Sequence, residues 1–495
     1  MADWSAGYVS EVPYTFGAYA ELNPLRIPLA FLHAGLAFPE QGTACELGFG
    51  HGTNIVTQAV ATTTRWSGTD FIPSQAAFAQ DLVRPSGAEA GLYDQSFAEF
   101  CRRDDLPDFD FISLHGIWSW VSDDNRHIIV DFIRRKLKVG GVLYISYNSS
   151  CGWAPMMPVR ELMAEHNQLL GAPGSDLLGR VDQALAFVDT LMAANPLYAA
   201  VNPQIKLRLE KLREQDRRYI AHEYFNQSWT PMSFTQVQRW LEPAKLNFAC
   251  SADYLNNIAA ITLTAPQQEA LRQIAEPGLR QNALDFLLNQ TFRKDYWVRG
   301  PRQLSAEAAN TLKRAQRFVL GTPKHAVRRQ LKTGVGEIRL PDAIYTPVIE
   351  AMADHVPATL DTIAARCPGL PFDAVFQAVY VLCGLSQVFA AQGSDLVVAV
   401  QQRTAALNRH IVAMTKDGSE LNYLASPVTG GPVHVSRLHQ QFLAALWNGA
   451  TEPRAWVEAA AANAVSQGLL EQAEAFAASE LPVLRGLGIA SNNLN

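Results

Sequence analysis

The chain has 495 residues, 48% apolar and 18% charged, with a formal net charge of −6. That length exceeds what one hydrophobic core supports and predicts about two to four domains; the apolar content excludes a disordered or fibrous chain. The small acidic excess excludes a global attraction to nucleic acid or to an anionic membrane.

The first stretch, "MADWSAGYVSEVPYTFGAYAELNP", has no basic region followed by an apolar one, and no apolar run elsewhere reaches ~18 residues, so neither a secretory leader nor a membrane span is expected. Within it the aromatics Tyr14, Phe16 and Tyr19 either fold over a ligand or dock this arm on the body. The six cysteines (Cys45, Cys101, Cys151, Cys250, Cys367 and Cys383) lie far apart without CxxC or Cys/His ligand spacing. They predict reduced thiols in a cytoplasmic protein, with no disulfide framework and no metal site.

From Thr43 to Asn148 short apolar runs alternate with helix-length segments: "ACEL" before a glycine turn, "TRWSGTD", "FDFISLHG" and "GGVLYISYN". This order predicts a parallel sheet with helices on both faces, a doubly wound α/β (Rossmann-like) domain spanning 1–265. A helical insertion is expected over about 155–217, where "VRELMAEHNQLL" and "DQALAFVDTLMAANP" carry apolar residues at three- and four-residue spacing. It reads as a lid over the sheet edge or as a stabilising appendage. A helical middle domain over 266–340 and a mostly helical C-terminal domain over 341–495 are expected to follow. The basic stretch from Lys313 to Arg339 reads as a linker, its charges forming a solvated face or a docking patch. After it come three helical segments and an apolar strand, the order of a winged helix, but the third helix, "PFDAVFQAVYVLCGL", carries no Arg or Lys, so nucleic acid is not expected as a partner.

The chemistry concentrates in "TACELGFGHGTN". A dinucleotide fingerprint needs G-x-G-x-x-G, whereas Gly48, Gly50 and Gly52 place the last glycine one position early. Glu46, at the end of the strand, is poorly placed beside a pyrophosphate and well placed beside an ammonium. Asp70 ends the next strand about twenty residues on, where an acid accepts ribose hydroxyls, with Phe71 beside it. A cationic nucleoside without phosphate fits this set, and S-adenosylmethionine is one. Ser96 and Phe97, with Gln95 as an alternative, are candidates to bond and cover an adenine after the third strand. In "HEYFN", His222 and Glu223 lack HExxH spacing and read as pocket lining or structural hydrogen bonding.

"YTFGAYAELNP", "ELGFGHGTN", "FDFISLHGIWSWVS", "GGVLYISYNSSCGW", "HEYFNQ" and "LLNQTFRKDYWVR" together resemble the class I methyltransferases with an attached methyltransferase regulatory domain. That group includes bacterial protein lysine methyltransferases acting on outer-membrane proteins. The resemblance implies S-adenosylmethionine as methyl donor, S-adenosylhomocysteine as product, and helical C-terminal domains that shape substrate access. It puts Glu46, Gly48, Gly50, Gly52, Asp70, Ser96 and Phe97 around the cofactor, and His115 and Trp118 beside the transferable methyl; Tyr19, Phe71 and His115 complete the expected cofactor set, and Tyr147 the expected catalytic one. Cys151 stands where the family pattern has a proline before Gly-Trp.

Methyl transfer requires an aligned neutral nucleophile and excluded water. Burial against Trp118, Trp120 and Tyr147 would favour a neutral lysine amine, with His115 relaying its proton. Each of these has a plainer reading: Trp118 and Trp120 as core, His115 as a structural histidine. The resemblance alone makes methyl transfer to a protein lysine the expected activity, the partner being a protein substrate such as an outer-membrane or surface protein before export, or else a small-molecule acceptor; were the acceptor a hydroxyl, His115 would be the general base. Methylation of a small molecule or glycan, and a non-catalytic S-adenosylmethionine sensor, are the alternatives.

Overall fold

In the computed structural model, β1 (Thr43–Leu47) is buried along its whole length. A run of small and branched apolar residues can occupy the middle of a parallel sheet, because both faces are covered there. Its neighbours β2 (Arg65–Thr69), β3 (Ala90–Tyr93), β4 (Phe109–Leu114) and β5 (Leu137–Asn148) all run parallel to it. Two later strands, β6 (Leu246–Ser251) and β7 (Phe292–Arg299), complete a seven-stranded sheet of order β3-β2-β1-β4-β5-β7-β6, in which β7 runs antiparallel to both neighbours. The described residues are 7–12, 14–40, 42–171, 174–416, 418, 420–460 and 466–490.

Strand alternation divides the sheet into two cores. Ile112, Leu114, Leu143, Ile145, Tyr147 and Trp297 face one layer, against the helix Asp123–Lys136. Phe111, Val142, Tyr144, Tyr296 and Val298 face the other, which runs on into the C-terminal half. The expected end of the α/β unit near 265 is corrected by β7: a strand hydrogen-bonded between β5 and β6 cannot belong to a separate middle domain, so the sheet is complete only at Arg299.

Between β5 and β6 the helices Met157–Leu170, Leu177–Ala193, Leu197–Val201, Gln204–Arg213 and Arg217–Tyr224 form the insertion, with their own core around Met163, Val181, Ile205 and Ile220. The basic stretch from Lys313 is not a linker. It contains β8 (Arg317–Leu320) and the hairpin of β9 (Gln330–Thr333) and β10 (Gly336–Arg339), and its charges pair as Arg314–Asp361, Lys324–Glu350 and Arg329–Asp342. β8 is the middle strand between β11 (Ala358–Thr359) and β12 (Val388–Ala390), beside helices Asp342–Glu350, Leu360–Ala365 and Phe372–Gly384. Beyond them lie the long helix Ser394–Lys416 and the hairpin of β13 (Tyr423–Ser426) and β14 (Gly431–His434).

This C-terminal half is bolted to the helix Thr53–Ala61 that follows the glycine turn. Arg403 Nε donates to Val60 O at 2.7 Å, and Gln392 Nε2 donates to Ala61 O at 2.8 Å. These are carbonyls that the last turn of a helix leaves without intrahelical partners.

One charged group lies deep in the sheet. Arg293 of β7, 5% exposed, reaches Asp295 at 2.9 Å and Asp285 at 2.6 Å, and Asp295 also accepts from the Tyr147 hydroxyl at 2.9 Å. Burial raises the Asp285 pKa to about 6 against the pull of Arg293. Removing one partner of such a set strands the others. Arg293→Ala is expected to cost ~3–5 kcal/mol, read as a lowered thermal midpoint, whereas Arg84→Ala, at an exposed pair, leaves the midpoint unchanged.

Candidate active site

β1 ends on Glu46 and Leu47, and the chain turns through Gly48, Gly50 and Gly52, all at positive φ, into the helix that starts at Thr53. A Cβ on Gly48 would lie 2.3 Å from Ile117 Cδ1, and one on Gly52 2.5 Å from Ala79 Cβ. The turn therefore needs glycine twice over, for its left-handed backbone and for its close packing. Asp70, just past β2, holds the turn in place: one carboxylate oxygen accepts from Gly50 N–H at 2.8 Å and the other from Ile72 N–H at 3.0 Å. Burial nevertheless raises the Asp70 pKa to about 7.

Glu46 is 3% exposed, and its Oε2 has no hydrogen-bond partner among the described residues. Burial, with Asp70 adding to it, pushes its pKa up to about 8. An orphaned buried carboxylate oxygen next to a glycine turn fits a ligand that brings an ammonium or another donor to that point.

The arm before β1 crosses this site. Phe16 packs on His51 of the turn at 4.3 Å, Tyr8 stands edge-on to Phe71 at 5.6 Å, and Tyr19 lies over His115 at 3.7 Å between ring centroids. The backbone N–H of Tyr19 donates to Asn54 Oδ1 at 3.0 Å. The far end of the arm is tied to the insertion: Val9 N–H donates to Asn226 Oδ1 at 2.8 Å, Gln227 N–H to Gly7 O at 2.9 Å, and His222 Nε2 lies 3.0 Å from Val12 O. The arm thus both docks and covers. Glu223 is enclosed under it, its Oε1 at 3.4 Å from the Tyr14 hydroxyl, and burial raises its pKa to about 7.

His115 follows β4. Its Nδ1 is 2.7 Å from Tyr144 Oη and 3.5 Å from Ser146 Oγ, and Phe292 stands edge-on at 6.1 Å. Burial lowers its pKa to about 3, so the imidazole is neutral at physiological pH. Glu46, the glycines, Asp70, Phe71, Tyr19 and His115 therefore gather along the ends of β1, β2 and β4.

Other expected site residues do not join them. Tyr147 is one residue out of phase: Tyr144 and Ser146 face His115, while Tyr147 points to the opposite face and donates to Asp295. Trp118 is completely buried in that same layer, edge-on to Trp240 at 6.0 Å, so its ring has no surface to offer an acceptor; Trp120 is 6% exposed. The Ser96 hydroxyl is committed to capping the short helix Phe97–Phe100, donating to Glu99 Oε2 at 2.7 Å and accepting from Glu99 N–H, and Phe97 packs against the same core as Tyr147 and Trp118. Reading β5 with period two from Tyr144 would have found the missed residues Tyr144 and Ser146; Tyr8 carried no signal, because its partner Phe71 is remote in sequence.

A family model described as a predicted methyltransferase regulatory domain matches residues 216–299, the segment that supplies helix Arg217–Tyr224, β6 and β7. The protein sll1526 of Synechocystis sp. is 36% identical over 450 residues, covering 89% of this chain and 88% of its own length. RP789 of Rickettsia prowazekii is 28% identical over 300 residues, covering 57% of this chain and 51% of its own. Among solved structures, PKMT2 from Rickettsia typhi in complex with AdoHcy superposes with a TM-score of 0.69 at 15% identity, covering 96% of this chain and 99% of that one. The sheet order, the glycine turn with its two carboxylates, and these relatives agree: the chain belongs to the family of class I, S-adenosylmethionine-dependent methyltransferases with a methyltransferase regulatory domain.

Proposed function

We propose that the protein methylates the ε-amino group of a lysine in a protein substrate, holding its cofactor between Glu46, the glycine turn and Asp70. The observation that carries the cofactor seat is the buried, unpartnered Oε2 of Glu46 at the end of β1. When bound, S-adenosylmethionine supplies a methyl group on a sulfonium that becomes neutral on transfer. Glu46 receives the ligand's amino end, Asp70 offers its remaining lone pairs to the ribose hydroxyls, and Tyr19 and Phe16 exclude water from above.

The state of His115 favours an amine over a hydroxyl acceptor. A lysine amine, pKa ~10.4, can lose its proton to water before it enters an apolar site. An alcohol needs a base at the moment of attack, and a histidine held near pKa 3 is a weak one. The neutral imidazole, anchored by Tyr144 and Ser146, instead orients the acceptor. The likeness to PKMT2 supports a protein acceptor. The free cysteines agree with a substrate met in a reducing compartment.

Incubation with methyl-labelled S-adenosylmethionine and fractionated lysate is expected to place label in protein, recovered as methyl-lysine; label confined to small molecules would replace this acceptor. Asp70→Ala should weaken binding of S-adenosylhomocysteine by about 10- to 100-fold in calorimetry. Glu46, protonated below about pH 8 in the free protein, must ionise against the ligand's ammonium, so binding at pH 7 should release a proton. Calorimetry in two buffers of different ionisation enthalpy measures that release, which Glu46→Gln should largely abolish. His115→Ala should leave cofactor affinity intact and slow turnover about a hundredfold; unchanged turnover would remove His115 from the acceptor site.

A further inference from the structure

The acceptor face already contains a lysine. On β4, His115 follows Leu114, the register partner of Ile145, and so comes level with Ser146; Ser146 in turn pairs with Lys294 of β7. His115, Ser146 and Lys294 thus form a row across three adjacent strands, with their side chains on one face of the sheet. The rings flanking Lys294 on that face confirm its direction: Phe292 meets His115 at 6.1 Å, and Tyr296 meets Tyr144 at 5.9 Å. The Lys294 amine is held at 2.7 Å by Glu21, two residues after the Tyr19 that covers His115, and the Tyr296 hydroxyl donates to Glu21 O at 2.8 Å. The lysine side chain is 28% exposed, so it is neither locked in the core nor free in solvent.

We propose that Lys294 is a site of self-methylation, the enzyme's own ε-amine taking the place of a substrate lysine. This rests on the lysine-acceptor reading above. The step balances as an ordinary transfer: the Lys294 ammonium leaves Glu21 and gives one proton to water. The nitrogen lone pair forms the bond to the methyl carbon, the carbon–sulfur bond breaks with its electron pair going to sulfur, and the new secondary ammonium gives up its second proton to water for any further round. Each methyl added keeps the positive charge but removes an N–H that Glu21 can accept. Only trimethylation removes every N–H, and it then leaves a charge contact with Glu21 in place of the hydrogen-bonded hold of β7 on the covering arm.

The test uses the full-length protein with trideuteriomethyl-labelled S-adenosylmethionine, with and without fractionated lysate, followed by peptide mass mapping. Label on the peptide containing Lys294, at a rate independent of protein concentration and absent from Lys294→Arg, is the expected result. Label on lysate lysines with none on Lys294 would overturn the self-methylation and leave the lysine reading standing. Label on small molecules alone would overturn both. A second measurement needs no turnover: S-adenosylhomocysteine should shield the Lys294 amine from an acylating reagent relative to the ligand-free protein. Equal acylation in the two states would place Lys294 outside the site and contradict the proposal.

Discussion

A carboxylate oxygen kept from water without a partner costs a fold ~1–3 kcal/mol or more, and Glu46 holds one at the end of the central strand. The neighbouring Asp70 makes matters worse by adding a second buried acid. The rest of the site is organised around that cost. The glycine turn leaves room beside Glu46, Asp70 fixes the turn by bonding Gly50, and the aromatic arm closes the top, so that a ligand bringing an ammonium or another donor to that point satisfies the unpaired oxygen. Glu46 stays largely protonated near neutrality until such a ligand arrives, and Asp70 about half so, which spares the empty protein part of the cost of two buried charges.

The segment matched by the regulatory family model is built into this catalytic unit. It contributes two of the seven strands, the helix that carries His222 and Glu223 against the arm, and Arg293, whose buried network reaches Tyr147 on β5. The C-terminal half acts from the other side, capping the last carbonyls of the helix that the glycine turn begins. The turn is thus clamped at both ends of one helix, Asn54 to the arm at its start and Val60 and Ala61 to the C-terminal half at its finish.

The parallel half of the sheet and the convergence of Glu46, the glycine turn and Asp70 were legible because they are local: a strand, a turn and a carboxylate close in sequence stay close in space. What failed depended on long-range pairing. β7 is a short mixed run of Arg, Lys, Asp and aromatics that nothing nearby marks as a central strand, so the sheet was expected to end about thirty residues too early. The basic stretch from Lys313 resembled a linker because its acidic partners Asp342, Glu350 and Asp361 lie downstream. Tyr147 lies close to His115 in the sheet, but a single step along a strand reverses the face a side chain meets, and Trp118, near His115 in sequence, opens a 3-10 turn that carries its ring into the core layer. The capping role of Ser96, by contrast, was open to sequence reading, since Glu99 stands three residues on.

The most direct measurement of the central claim is a structure of the protein crystallised with S-adenosylhomocysteine. The account predicts the ligand's amino group within hydrogen-bond distance of Glu46, its ribose hydroxyls on Asp70, its sulfur toward His115, and Tyr19 still covering them. A ligand bound elsewhere, or bound here with Glu46 turned away and unpartnered, would contradict it.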